Sequence, residues 1–139
     1  MSIVHEDLPG ARVLDLFAGS GALGFEALSR GAASADFVET STRSFAALVE
    51  NARALDAGDR AVLHRMDALK FAGKLAPLEF DVAFVDPPYR LGLAERMADL
   101  WRQTPFARVM GIEHERGIDL PGAERREYGD TVVSLFRAP

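Results

Sequence analysis

Arg12-Val13-Leu14-Asp15-Leu16-Phe17-Ala18-Gly19-Ser20-Gly21-Ala22-Leu23-Gly24 joins an apolar run to a glycine-rich turn, and the expected architecture follows from it. Arg12–Ala18 is a short apolar run that ends in glycines, which predicts a buried strand. Ala22–Arg30 follows with helical character, and Gly31 is suited to end it. Between the two, Gly19, Gly21 and Gly24 match G-x-G-x-x-G. Glycine permits the tight turn from strand to helix and lets a ligand come close to the backbone.

Outward from that loop the alternation continues. Ser34–Glu39 reads as a second strand, and Thr42–Leu55 as a helix with Phe45, Leu48, Val49 and Ala52 on one face. Ala61–Met66 is a third strand and Ala68–Lys74 a short helix. Phe80–Val85 is a fourth, strongly apolar strand stopped by Pro87-Pro88. Leu93–Gln103 is a helix, Arg108–Glu113 a fifth strand and Arg116–Ala123 a loop. Arg125–Tyr128 and Thr131–Arg137 surround Gly129-Asp130, a hairpin signal. The expected fold is α/β: a mostly parallel twisted sheet, helices on both faces, and a C-terminal antiparallel hairpin at one edge.

The 139 residues suit a single domain, 1–139, with an ordinary 48% hydrophobic content. No apolar run is long enough for a membrane span, and the start of the chain lacks the pattern of a signal peptide. There is no cysteine, which excludes disulfides and thiolate metal sites. The expectation is a cytoplasmic protein with no membrane partner. Sixteen basic against 21 acidic residues, net -5, argue against broad nonspecific nucleic-acid binding but leave room for a local basic patch.

The glycine loop alone suits three readings: a methyl-donor site, a dinucleotide site, or a structural turn. Asp15 favours the first. Beside a pyrophosphate an acid repels, whereas beside a sulfonium ligand carrying an ammonium it attracts. Glu39 ends the second strand, where doubly wound sheets bind ligands and where a carboxylate accepts from both ribose hydroxyls. Asp67 follows the third strand and suits an adenine amino group, a helix cap, or both.

Asp86-Pro87-Pro88-Tyr89 stands at the carboxyl end of the fourth strand. Two prolines stiffen the segment and remove its N–H donors, so carbonyls face outward without a strand partner. That corner suits an amino group needing two acceptors. An exocyclic base amine is a poor nucleophile because its lone pair is delocalised into the ring. Hydrogen bonds from its two hydrogens to the Asp86 carboxylate and the Pro87 carbonyl favour a more pyramidal nitrogen, with positioning supplying much of the catalysis. Asp86 can take up the released proton, and Tyr89 offers a flat face for stacking. The base must be turned out of any duplex to reach such a pocket. This chemistry calls for no metal.

With both motifs present, the sequence resembles the Rossmann-like methyltransferases that use S-adenosyl-L-methionine. Among them it is most similar to the bacterial enzymes that methylate a guanine N2 in 16S ribosomal RNA. The resemblance runs through Val13–Gly24, Glu26–Gly31, Phe80-Asp81, Asp86–Tyr89, Glu113-His114-Glu115 and Tyr128–Thr131. It implies a cofactor site at Asp15, Phe17, Ala18, Gly19, Ser20, Gly21, Gly24, Glu39, Asp67 and Ala68. It implies a catalytic corner at Asp86, Pro87 and Tyr89, and ribosomal RNA or the small ribosomal subunit particle as partner. Adenine-N6 DNA methyltransferases share Asp-Pro-Pro-Tyr. A nicotinamide-dependent oxidoreductase, which leaves Asp86–Tyr89 unexplained, and a non-catalytic cofactor-binding remnant are the remaining alternatives. Members of this family carry a basic segment and a helix ahead of the first strand that help to bind RNA. Only a short stretch precedes Arg12, so cofactor binding is expected to survive better than RNA recognition.

Other residues carry less. His5, His64 and His114 share no metal-ligand spacing and suit surface or strand-end positions. Arg90 suits either a phosphate contact or a solvated loop, and Arg125-Arg126 a solvated edge strand. Glu26 and Arg30 suit helix packing or an ion pair, and Trp101 core packing.

Overall fold

The computed structural model describes residues 6–89 and 92–139. His5 and Arg90 lie outside the described residues. Five parallel strands, β1 (Arg12–Leu16), β2 (Ser34–Val38), β3 (Ala61–His64), β4 (Phe80–Val85) and β5 (Ala107–Glu115), join an antiparallel pair, β6 (Glu124–Tyr128) and β7 (Thr131–Arg137). The sheet order is β3-β2-β1-β4-β5-β7-β6. The chain steps outward from β1 to β3, then returns to lay β4 on the other side of β1. That reversal opens a crevice at the carboxyl ends of β1 and β4, the usual ligand position in an open parallel sheet.

Helices α1 (Ala22–Ser29) and α2 (Thr42–Ala54) cover one face, and α3 (Ala68–Ala72) and α4 (Leu93–Gln103) the other. Strand alternation divides the core accordingly. Val13, Phe37, Val82 and Phe84 pack under α1 and α2, whereas Leu14, Leu16, Val85 and Ile112 pack under α3 and α4. Within α4, Met97 and Ala98 are fully buried, and Trp101 donates from its indole nitrogen to the Ala107 carbonyl at 3.0 Å. Every helix and strand expected from the sequence is present. β1, β2 and β3 stop one or two residues short of the expected bounds, where the chain leaves the sheet for the loops at its carboxyl edge, and β6 begins one residue earlier, at Glu124. β5 instead runs through Glu115, since β7 pairs with it as far as Glu115↔Thr131. That extension moves His114 off the expected surface: it is fully buried and meets Ser134 Oγ at 2.7 Å. His64 does end its strand, where it meets Asp36 at 2.7 Å.

Two glycines of the loop are packing positions. A Cβ on Gly24 would lie 2.2 Å from the Phe37 ring, and one on Gly21 would lie 2.5 Å from Phe25 and 2.6 Å from Leu48. Gly21 also holds φ +95°, a conformation strained for any other residue. Gly24 lets α1 settle directly onto β2. Gly24→Ala is therefore expected to destabilise the chain by about 1–3 kcal/mol through overpacking, read as a lower denaturant midpoint with an unchanged slope.

Candidate cofactor cleft and amine-binding corner

Three carboxyl side chains point to the same face at the carboxyl edge of the sheet. Asp15 on β1 is in register with Phe84, and Val85 with Ile112, so Asp86 and Glu113 stand side by side one residue further on. Asp15 is buried, and its Oδ2 accepts from the Gly24 N–H at 3.0 Å. Gly24 is the third residue of α1, whose N-cap Gly21 has no side chain to offer. Asp15 thus caps the helix from the neighbouring strand, and a carboxylate there is also favoured by the helix dipole. Burial pushes the Asp15 carboxyl up to about 8; the Gly24 amide opposes this, and the charges of Asp86 and Glu39 add to it.

Glu39 lies just beyond β2, and both of its oxygens are engaged. Oε1 accepts from the Gly19 N–H at 2.7 Å and Oε2 from the Ser41 N–H at 2.8 Å. It ties the glycine loop to the start of α2 and keeps further lone pairs for ribose hydroxyls. Gly19 has φ +59°, and a Cβ there would meet nothing within 4 Å, so this is the glycine that leaves room for a ligand. Phe17, with φ 61°, is a bulky residue in the left-handed region. Such strain costs on the order of 1–3 kcal/mol and is typical of ligand loops. No pattern in the sequence signals it.

Phe17, Glu39, Ser41, Asp67, Leu69, Asp86, Pro87 and Leu93 line a cleft of about 730 Å³. Asp67 caps α3, its Oδ2 accepting from the Lys70 N–H at 3.0 Å; the cap uses this one oxygen. Capping and adenine recognition are thus compatible. Ala68, the first residue of α3, is buried. Asp15 is not part of the cleft lining; it lies beneath the loop, because its strand turns that side chain toward α1. Ala18 and Ser20 contribute backbone: the Ala18 carbonyl accepts from Gly21 N–H, and the Ser20 carbonyl from the Asn51 amide.

Asp86 is exposed at the cleft, Pro87 is buried, and Tyr89 is half exposed. On the far side of the prolines, Tyr89, Glu95, His114, Glu115 and Ile118 help to line a second cavity of about 190 Å³. The proline pair is therefore a partition between two hollows. Glu95 Oε1 is buried there without a hydrogen-bond partner among the described residues. Glu113, named in the sequence only within the Glu113-His114-Glu115 resemblance, joins this corner through Asp86. Its hydrogen bond with Asp86 first, burial second and the Asp86 charge third push its carboxyl up to about 7. The signal available was an acid closing the expected fifth strand, Arg108–Glu113, which lies beside the strand that leads to Asp86.

Several charged residues are structural. Asp81, at the amino end of β4, accepts from Arg12 N–H at 2.8 Å and pairs with Arg108. Glu26 and Arg30 form an exposed ion pair one helical turn apart. Arg125 and Arg126 sit on the exposed edge strand β6, paired with Glu127 and Glu124.

The family described as "Conserved hypothetical protein 95" matches residues 1–136. The chain is 32% identical over 140 residues to the Bacillus subtilis protein named "Putative rRNA methyltransferase YlbH", covering 92% of this chain and 76% of the relative. It is 43% identical over 90 residues to Ribosomal RNA small subunit methyltransferase D of Escherichia coli, covering 65% of this chain but only 44% of that protein. The solved structure "Putative methyltransferase yhhF from Escherichia coli" superposes with a TM-score of 0.84 at 31% identity, covering 98% of this chain and 80% of that one. The Thermus thermophilus 16S rRNA N2 G1207 methyltransferase, solved with AdoMet and guanosine, shares the fold at TM-score 0.74 and 22% identity, over 94% of this chain and 38% of that one. The fold is that of the Rossmann-like methyltransferases.

The raised carboxyls give stability a definite pH dependence. Asp15 titrates at 3.8 unfolded and near 8 folded, so between these values the native state holds the extra proton. Stability from this group is fully present below about 4 and is lost as pH rises toward 8, by up to about 1.4 kcal/mol per pH unit. Glu113 acts in the same direction up to about 7. Asp15→Asn keeps an acceptor for Gly24 and is expected to flatten the decline, measured by denaturant unfolding at pH 5, 6, 7 and 8.

Proposed function

The chain belongs to the conserved hypothetical protein 95 family, and from that premise we propose that it is an S-adenosyl-L-methionine-dependent methyltransferase acting on a guanine N2 amine in 16S ribosomal RNA. The observation that carries the proposal is the Asp86-Pro87 corner, set between a nucleoside-sized cleft and a smaller hollow beside Tyr89.

The cleft fits the cofactor on its own donor set. Glu39 keeps lone pairs that suit ribose hydroxyls, Asp67 keeps one oxygen that suits an adenine amino group, and Gly19 presents open backbone on the loop that Glu39 holds. When bound, the cofactor supplies an electrophilic methyl on a sulfonium sulfur. Asp15 helps indirectly, by holding the loop and by placing a titratable carboxyl beneath it. Asp86 and Pro87 accept the two hydrogens of the amine, and Tyr89 stacks on the base. Asp86 then receives the amine proton, with Glu113 beside it as a second carboxyl to share the charge.

Guanine is favoured over adenine by the acids around this corner. The edge of guanine presents an N1–H and an N2 amine side by side, both donors. Adenine presents a lone pair at N1, which finds no donor in the ionised Asp86 or the Pro87 carbonyl. The chain spans under half the length of the small-subunit methyltransferase it resembles from Escherichia coli, a protein named for a ribosomal RNA substrate.

The test is transfer of labelled methyl groups from S-adenosyl-L-methionine to unmodified small-subunit RNA or particles, with nucleoside analysis of the product. N2-methylguanosine is the expected product, and a different methylated nucleoside, or labelling of no RNA, would sink the proposal. Asp86→Ala is expected to lower transfer at least 100-fold while cofactor affinity changes little. Glu39→Ala is expected to weaken cofactor binding about 10-fold or more, by calorimetry.

A further inference from the structure

The cations of this acidic chain are unevenly committed. Arg12 and Arg108 pair with Asp81 at the amino edge of the parallel strands, Arg137 with Asp7, Arg102 with Asp99 along α4, and Arg30 with Glu26 along α1. Arg116, Arg125 and Arg126 pair with glutamates of β6. Lys70 of α3 and Arg96 of α4 are exposed and, like Arg43, Arg53, Arg60, Arg65 and Lys74, make no ion pair among the described residues; these two face the same hollow.

Those two side chains share one feature. A groove of about 430 Å³ runs between α3 and α4, lined by Asp67, Leu69, Lys70, Arg96, Asp99, Leu100 and Gln103. Four of these residues, Asp67, Leu69, Lys70 and Arg96, also line the 730 Å³ cleft, so the groove opens into it. Its apolar wall is Leu69 and Leu100. Of its two acids, Asp99 pairs with Arg102 at 2.9 Å and Asp67 caps α3 through one oxygen without an ion pair, so Lys70 and Arg96 leave the groove net positive. Two unneutralised cations beside an apolar wall suit a chain of phosphates joined by sugars.

We propose that the α3–α4 groove is the track for the RNA backbone next to the target nucleotide, with Lys70 and Arg96 contacting successive phosphates. The inference rests on the reading of the chain as an RNA methyltransferase. It adds the path of the substrate: the strand lies along α3 and α4, and the turned-out base enters past Leu93 and the prolines toward Asp86. A net-negative chain needs such a local site, because phosphate contacts supply most of the nonspecific affinity for a polyanion.

The experiment measures binding of small-subunit RNA by fluorescence anisotropy across a salt series, with cofactor affinity by calorimetry in parallel. Lys70→Glu combined with Arg96→Glu is expected to weaken RNA binding at least 10-fold. The slope of log K against log salt should fall by roughly 1.4–1.8, as two phosphate contacts are lost. Cofactor affinity should stay within about 2-fold, and Lys70→Arg with Arg96→Lys should restore binding. Unchanged RNA affinity and slope overturn the proposal. So does an equal loss of cofactor affinity, which would assign the two cations to the cofactor. Wild-type chain that binds RNA through these residues but never methylates it leaves the groove standing and defeats the activity instead.

Discussion

One hydrogen bond organises this site: the Asp15 carboxyl, buried near the end of β1, accepts the Gly24 N–H at the start of α1. A helix that begins on a glycine has no side chain of its own to satisfy its first amides. Asp15 supplies the missing acceptor from the strand, which fixes the turn between the two and the position of Gly19. Gly24 can reach it only because α1 packs against Phe37 without a Cβ between them. Glu39 holds the same loop from the other side through Gly19. The loop is thus clamped by two carboxylates, both set by the pairing of β1 with β2.

The clamp has an electrostatic consequence. Burial of Asp15 near Glu39 and Asp86 makes ionisation costly, and Glu113 beside Asp86 faces the same problem on the next strand. The face is therefore partly protonated near neutral pH and destabilised at higher pH. A cationic ligand relieves that strain, which is a physical reason for a protein to tolerate so many acids at one edge. Functional sites commonly hold such locally unfavourable arrangements.

The two ends of the parallel strands divide the work. At the amino edge, Asp81 is neutralised by Arg12 and Arg108, and charge closes the structure. At the carboxyl edge, the acids face a cleft, and Lys70 and Arg96 stay free of partners among the described residues. Helix polarity and strand direction produce this asymmetry, since every βα unit turns its loop to the same side.

The strand order was not legible in the chain alone, whereas the elements, the parallel direction of the first five strands and the two motifs were. The reason is that glycine spacing, apolar periodicity and proline stops are local constraints on backbone and burial. Phe80–Val85 and Leu93–Gln103 were readable to the residue because prolines and an amphipathic pattern bound them. Tertiary structure alone decided what each side chain touches. Asp15, expected at the cofactor site, also caps α1, because strand alternation turns it toward that helix. His114 looked like a strand end and is buried, because β7 extends the ladder of β5. Glu113 gained a role only when β4 and β5, apart in the chain, were laid in register with Asp86 beside it. Contacts between distant strands depend on register and face, and no local pattern in the chain records them.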